Sequence, residues 1–474
     1  MEVSAYDDYE EYGGEADDVE YLDYYDDELY ELPEEGDAWE EEDETVTQFS
    51  TAELYEFCVV PTFSDSVQHL GSLLLWSFIF TLTTRIVHLP AWLVHLISAA
   101  CGCMVAWQLF GPKMLFMVYL ILAGTLALFC SDKLLHSRRG PWTCGFCVAF
   151  LILCELWWAD PVEWHSIRGA QMIILMKIVS VGYDLDATSL SSHPSLLEMA
   201  GYIMNPGTII FGPWTSFDSY RKVLQPLSIN LMLIANIVSK LVASAIYLLF
   251  STCFVSWLVP DNVSRWVMAY RKALSFRSSH YFVSYFSEAS ALLAGLEVEA
   301  VAKPTFIEIP RSLVEVVIYW NMPMHHWLKT YIFKTARNRF GIFGALLFTY
   351  IMSSLFHGLN FQLAAVLLSL GFYTYVEYSL RLKLASVFDA CILARRCNDN
   401  CGHGQKGKAR FTVLANIGFG FLTIFHLAYL GIMFDSPQKQ EAGYSMKHTL
   451  SMWSSLHYAS HWIIFLFYIM SSVI

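Results

Sequence analysis

Charge is scarce in this chain. Asp, Glu, Lys and Arg make up 15% of its 474 residues, against 55% hydrophobic side chains, and the mean hydropathy is +0.42. An ordinary water-soluble domain carries about a quarter of its residues charged, so that class is excluded. Positive charge is missing altogether from residues 1–56, which hold 24 of the 44 Asp and Glu. By subtraction the rest of the chain has 20 acids against 29 bases, so the net charge of −15 describes neither part. The opening segment also lacks an apolar stretch between basic and small residues, and no cleaved signal peptide is expected. No internal repeat is visible. The 11 cysteines form no secreted framework: Cys101, Cys103, Cys130, Cys154 and Cys253 stand singly in apolar segments and read as small core residues. Cys144 and Cys147 make a C-x-x-C at the start of an apolar helix rather than beside a βαβ unit, which argues against a redox pair.

What is abundant is apolar sequence in bilayer-length runs. About 20 helical residues cross the hydrocarbon. Spans are expected near 69–87, 90–110, 113–131, 143–159, 229–258, 341–356, 359–380, 411–433 and 455–474. Between 163 and 215 the pattern loosens around Arg168, Gln171 and Lys177, and 264–300 is amphipathic. Irregular or polar segments at membrane depth must be covered by protein or line a cavity. The expected fold is therefore all-α: a polytopic transmembrane helical bundle of about nine to eleven spans, with re-entrant or amphipathic helices around an internal tunnel. Residues 1–60 read as a disordered, acidic, Tyr-rich tail and 61–474 as one membrane domain.

Basic residues orient the spans, because Lys and Arg concentrate in cytosolic loops. The loop 381–410, with Arg381, Lys383, Arg395, Arg396, Lys406, Lys408 and Arg410, is expected in the cytosol. So are Lys329–Arg339 and the Lys133, Arg138 and Arg139 group. His357 then falls toward the lumen, Asn321 toward the cytosol, the tail in the lumen and Ile474 in the cytosol.

His357 sits in SSLFHGLNFQ, among apolar neighbours and beside a glycine. An ionisable group in hydrocarbon costs roughly 2.5–3.5 kcal/mol on insertion scales when charged, so it is either tied to a neighbouring helix or kept for function. A neutral imidazole is suited to take a hydroxyl proton as general base. Asn321 lies in YWNMPM, where Pro323 discourages regular helix. It either caps a helix or donates a hydrogen bond to a carbonyl or thioester oxygen. His325 and His326 read as interfacial residues. Cys391, Cys397, Cys401 and His403 form C-x5-C-x3-C-x-H in the basic loop. That spacing departs from the usual paired zinc ligands, so plain or lipidated surface cysteines are the preferred reading and no metal site is expected. His457 and His461, at i and i+4, would share a helix face and read as packing. Asn262-Val263-Ser264 is a glycosylation sequon if its loop is lumenal.

Several ordered segments carry a resemblance: Trp320-Asn321-Met322-Pro323 with Leu355-Phe356-His357-Gly358, Arg168–Met172, Phe211–Trp214, Pro310–Ser312 with Val314–Val317, Leu363–Leu370 with Thr374–Glu377, and Phe425–Gly431. Together they resemble the membrane-bound O-acyltransferases over roughly residues 65–435, in particular those that acylate a serine of Wnt proteins. The resemblance implies an enzyme of the endoplasmic reticulum membrane that passes a palmitoleoyl group from cytosolic palmitoleoyl-CoA, a co-substrate, to a lumenal Wnt serine. Wnt secretion and signalling would depend on it. His357 would be the base, and Asn321 would hold the thioester or its oxyanion. Trp320, Asn321, Lys329, Tyr331, Lys334, Arg337 and Arg339 would meet acyl-CoA. No cofactor and no nucleic acid is implied, and membrane lipid is the surroundings. The alternatives are a related acyltransferase with another peptide or a lysophospholipid as acceptor, or a lipid transporter or scaffold without catalysis.

Overall fold

The computed structural model describes residues 50–474 apart from 87–88, 135–137, 159, 191, 226–229, 399 and 435–444. Residues 1–49, most of the acidic tail, lie outside the described residues. Helix begins at Thr51, inside the segment assigned to the tail, where Ser50 and Glu53 form a reciprocal capping box (Glu53 N to Ser50 Oγ 3.3 Å, Ser50 N to Glu53 Oε2 2.8 Å). From there the described residues are mainly helical. The elements used below are α1 (Thr51–Arg85), α2 (Ala91–Phe110), α3 (Met114–Leu134), α4 (Arg139–Trp157), α5 (Pro161–Asp186), α6 (Leu231–Leu258) and α7 (Arg265–Leu293). They continue with α8 (Leu313–Trp320), α9 (Met322–Trp327), α10 (Lys334–Phe356), α11 (Phe361–Val387), α12 (Arg410–Gly431), α13 (Met446–Ser455) and α14 (Ala459–Val473). Among the described residues there is no strand, only an isolated bridge between Ala390 and Gln405.

Seven helical stretches among the described residues are long and apolar enough to cross a membrane, or eight if the bent pair α13 and α14 is one span. Nine were expected. Helices α2 and α3 follow each other across only Gly111–Lys113 and join into one apolar stretch, Ala91–Ser131. The last expected span starts at a 76° break between Ser455 and Ala459, where His457 and Tyr458 take positive φ. That break removes the shared face expected for His457 and His461. His461 is a packing residue, its Nδ1 2.9 Å from the Tyr429 hydroxyl. In α10, Gly341 has φ 67° and kinks the helix, so the apolar segment after it starts where the sequence pattern placed it.

Two long helices that are more polar than the seven, α5 and α7, are largely buried in the bundle. Several of their buried polar groups are met by protein, as the membrane interior favours. Buried Lys177 donates to Tyr202 O (2.9 Å), Ile203 O (3.0 Å) and Thr208 Oγ1 (2.8 Å). Buried Glu288 accepts from Val301 N (2.6 Å) and pairs with Lys240 (2.6 Å). Buried Arg277 is held by both carboxylate oxygens of Glu308 at 2.8 and 2.9 Å.

Hydrogen bonds sort the helix ends into two sets. At one end, the start of α4 donates from Arg139 N and Gly140 N to Asp186 at the end of α5 (3.1 and 2.9 Å). Lys383 near the end of α11 reaches Ser471 O near the C-terminus, so the loop 388–409 belongs to this end too. At the other, Glu155 near the end of α4 meets the turn between α10 and α11. Helix α12 runs from loop 388–409 toward that second end, where Phe425 stacks on Trp266 at the start of α7 (4.8 Å). A disulfide joins Cys58 in α1 to Cys253 in α6, with Cα atoms 5.8 Å apart. This corrects the reading of Cys253 as an isolated core thiol: the partner lies 195 residues away, a separation that no local pattern reveals.

Candidate active site

Helix α8 ends at Asn321, and α9 starts from it. Pro323 at the second helical position needs no hydrogen bond from its nitrogen, so it starts α9 rather than breaking a helix. Asn321 has extended backbone (φ −146°, ψ 92°), and its Oδ1 accepts from Met324 N at 3.0 Å as an N-cap. This bond fixes which end of the amide is which. With Oδ1 occupied, the Nδ2 group is the remaining donor, bonded to no described residue. The reading of Asn321 as cap and the reading as donor are therefore compatible in one side chain. Residues 317–325 are half-buried without a break, unlike a helix with one face in lipid and one in a core.

Trp320 beside it is clamped by His280 of α7, a residue the sequence reading passed over. The His280 ring stacks on the Trp320 indole (centroids 4.3 Å, 6° between planes), and its Nε2 donates to Trp320 O at 2.7 Å. A carbonyl only accepts, so this bond puts the proton of a neutral imidazole on Nε2. The signal that singled out His357, an ionisable group amid bilayer-depth helix, applies equally to His280. It was hidden because α7 is Ser-rich and reads as amphipathic.

His357 closes α10. Its backbone N–H donates to Ser354 O (3.0 Å), and Gly358 follows with φ 87°. The turn is locked from outside. Glu155 accepts from Leu359 N at 3.1 and 3.2 Å and pairs with Arg168 at 2.7 Å. The Arg168 guanidinium lies so close over Gly358 that a Cβ there would fall 1.2 Å from Nη1. The backbone of His357 is thus held firmly while its imidazole, half-buried, makes no hydrogen bond to any described residue. A ring of that kind keeps a lone pair for something else.

The two segments meet through Trp327 and Phe356, whose rings are 5.4 Å apart. Trp327 also donates to Met176 O of α5 at 3.0 Å. Asn321 and His357 do not bond each other. They stand on either side of this contact, Asn321 about 9 Å of helix before Trp327 and His357 next to Phe356. Beyond α9, Lys329, Lys334, Arg337 and Arg339 are exposed. Tyr331 is different: it is buried and its hydroxyl donates to Asp184 at 2.9 Å, so it ties this segment to α5.

The family description of the membrane-bound O-acyltransferases matches residues 142–389. The chain is 39% identical over 445 residues to the protein-serine O-palmitoleoyltransferases porcupine of Mus musculus and of Homo sapiens, covering 87% of this chain and 95% of each relative. It is 22% identical to lysophospholipid acyltransferase 1 of Arabidopsis thaliana over 322 residues, 56% of this chain and 68% of that relative.

Proposed function

This chain belongs to the membrane-bound O-acyltransferase family, and we propose that it moves a palmitoleoyl group from palmitoleoyl-CoA to a serine hydroxyl of a Wnt protein. The acceptor class follows the stronger similarity, which covers nearly the whole length of protein-serine acyltransferases. The likeness to a lysophospholipid enzyme is weaker and shorter. The observation that carries the chemistry is the His357 imidazole, bonded to no described residue, on a turn locked by Glu155 and Arg168.

In the proposed reaction His357 takes the proton of the serine hydroxyl as its oxygen attacks the thioester carbon. Asn321 Nδ2 donates to the oxygen on which negative charge develops. The C–S bond then breaks, and the CoA thiolate leaves with the proton that His357 received. Trp320, held by His280, lines the donor's path, and Lys329, Lys334, Arg337 and Arg339 supply positive charge for the CoA phosphates.

The sidedness of the reading has two supports. Loop 388–409 and the Arg138–Arg139 group, rich in bases, share one end of the bundle, which the positive-inside tendency assigns to the cytosol. The Cys58–Cys253 disulfide belongs to the opposite end, and disulfides persist in oxidising compartments such as the lumen of the endoplasmic reticulum. His357 lies at that second end, on the acceptor's side. Donor and acceptor would then enter a tunnel from opposite faces.

Purified protein incubated with palmitoleoyl-CoA and a Wnt hairpin peptide should raise the peptide's mass by one acyl group, and a peptide with alanine for the serine should stay unchanged. Replacing His357 with Ala should lower turnover by about 10²–10⁴-fold with the protein still membrane-inserted. Undiminished turnover in that variant would remove His357 from the chemistry. Acylation of a lysophospholipid in preference to the peptide would overturn the acceptor.

A further inference from the structure

The spacing of Cys391, Cys397, Cys401 and His403 reads poorly as a metal motif, yet the fold gathers all four. One donor atom from each lies within 4.8 Å of every other. Cys391 Sγ is 3.1 Å from Cys401 Sγ and 3.7 Å from His403 Nδ1, and Cys397 Sγ is 3.8 Å from the same nitrogen. A tetrahedral zinc with Zn–S about 2.3 Å and Zn–N about 2.0–2.1 Å has ligand-to-ligand edges of roughly 3.5–3.8 Å. Two of the three separations match those edges. The third is shorter than an edge but far longer than a disulfide bond of about 2.05 Å.

We propose that these four side chains form a closed structural zinc site in the loop between α11 and α12. Three thiolates and an imidazole with no oxygen donor select zinc over magnesium, calcium or manganese. Four protein ligands leave no position for a substrate, so the ion is structural. The loop sits at the base-rich end, where the cytosol keeps thiols reduced and free to ligate. Zinc(II) with three thiolates leaves one negative charge, and Lys406 stands beside it, its Nζ 3.7 Å from Cys401 Sγ and bonded to Cys401 O.

The surroundings fix the ligands. Cys391 N donates to Gln405 O (3.0 Å), Gly404 N to Asp389 Oδ2 (2.9 Å), and Gln405 N to Asp389 O (2.8 Å). These bonds close the two ends of the loop on each other next to ligands 391 and 403. The same loop then holds the start of α8. Arg311 donates to Cys391 O (2.7 Å) and Leu393 O (3.0 Å), Ser312 Oγ to Ala394 O (2.8 Å), and buried Arg381 to Ile392 O (2.7 Å) and Arg311 O (2.7 Å). Since α8 runs from Leu313 to Trp320 and delivers Asn321, the metal clip is a positioning device for the donor side of the site. The zinc assignment itself does not depend on the acyl-transfer reading.

The test is the metal content of the full-length, detergent-purified chain, prepared without chelator or added metal. About one zinc per chain is expected by mass spectrometry of the elements, released when a mercurial titrates the thiols. Cys401→Ser and His403→Gln should each lose that zinc. Wild-type protein with no stoichiometric zinc overturns the proposal, as does a Cys391–Cys401 disulfide in its peptide map or another metal in the same amount. The wild-type measurement decides even where a variant fails to fold.

Discussion

Asn321 has two duties that different substitutions separate. Its Oδ1 caps α9 through Met324 N, and its Nδ2 is a donor bonded to no described residue. Asn321→Asp keeps an oxygen for the cap and removes the donor. We expect thermal unfolding of this variant in micelles to stay near wild type while single-turnover acyl transfer falls by about 10²–10³-fold. Asn321→Ala should lose the transfer and also about 1 kcal/mol of stability, because the cap goes too. Wild-type transfer by the Asp variant would reduce Asn321 to its cap. Gly358 is a second residue whose role is conformational. At φ 87° an alanine is strained, and its Cβ would collide with the Arg168 guanidinium. Gly358→Ala should destabilise the protein by more than about 1 kcal/mol and displace the Arg168–Glu155 pair, readable as a lowered melting temperature alongside lost turnover. Of these residues, His357 and Asn321 were legible in the sequence because polarity in an apolar run carries its cost openly. His280, Glu155 and the role of Arg168 were not, since each acquires meaning only from a partner on another helix.

At the scale of elements, the apolar helices were readable and the inner ones were not. Length and hydropathy locate α4, α6 and α11 directly. Helices α5 and α7 look too polar to span, yet lie inside with Lys177, Arg277 and Glu288 buried and bonded. The Cys58–Cys253 bond staples α1 to the far end of α6. Removing it by Cys58→Ser should cost about 2–4 kcal/mol. In a melting experiment, reductant should lower the wild-type transition to that of the variant and leave the variant where it is. Equal melting of oxidised and reduced wild type would mean that the bond adds nothing to the native state.

For the whole molecule, the two sets of helix ends make a prediction about topology. Ser50 opens α1 at the disulfide end, which the proposed sidedness makes lumenal, while loop 388–409 lies opposite. In sealed microsomes an epitope at the N-terminus should resist added protease until detergent is present. Cleavage within 388–409, rich in Lys and Arg, should need no detergent. The reverse pattern would invert the proposed entry sides of donor and acceptor.

By itself the sequence determined the solvent this protein lives in, most of its apolar helices, the family, and the two polar side chains worth testing. These follow from composition and local cost, which are properties of single segments. The pairing of Cys58 with Cys253, the His280 clamp on Trp320, the lock around Gly358 and the gathering of Cys391, Cys397, Cys401 and His403 were decided only by tertiary structure. Each is a relation between atoms set by how helices pack or a loop closes, and spacing along the chain does not encode it.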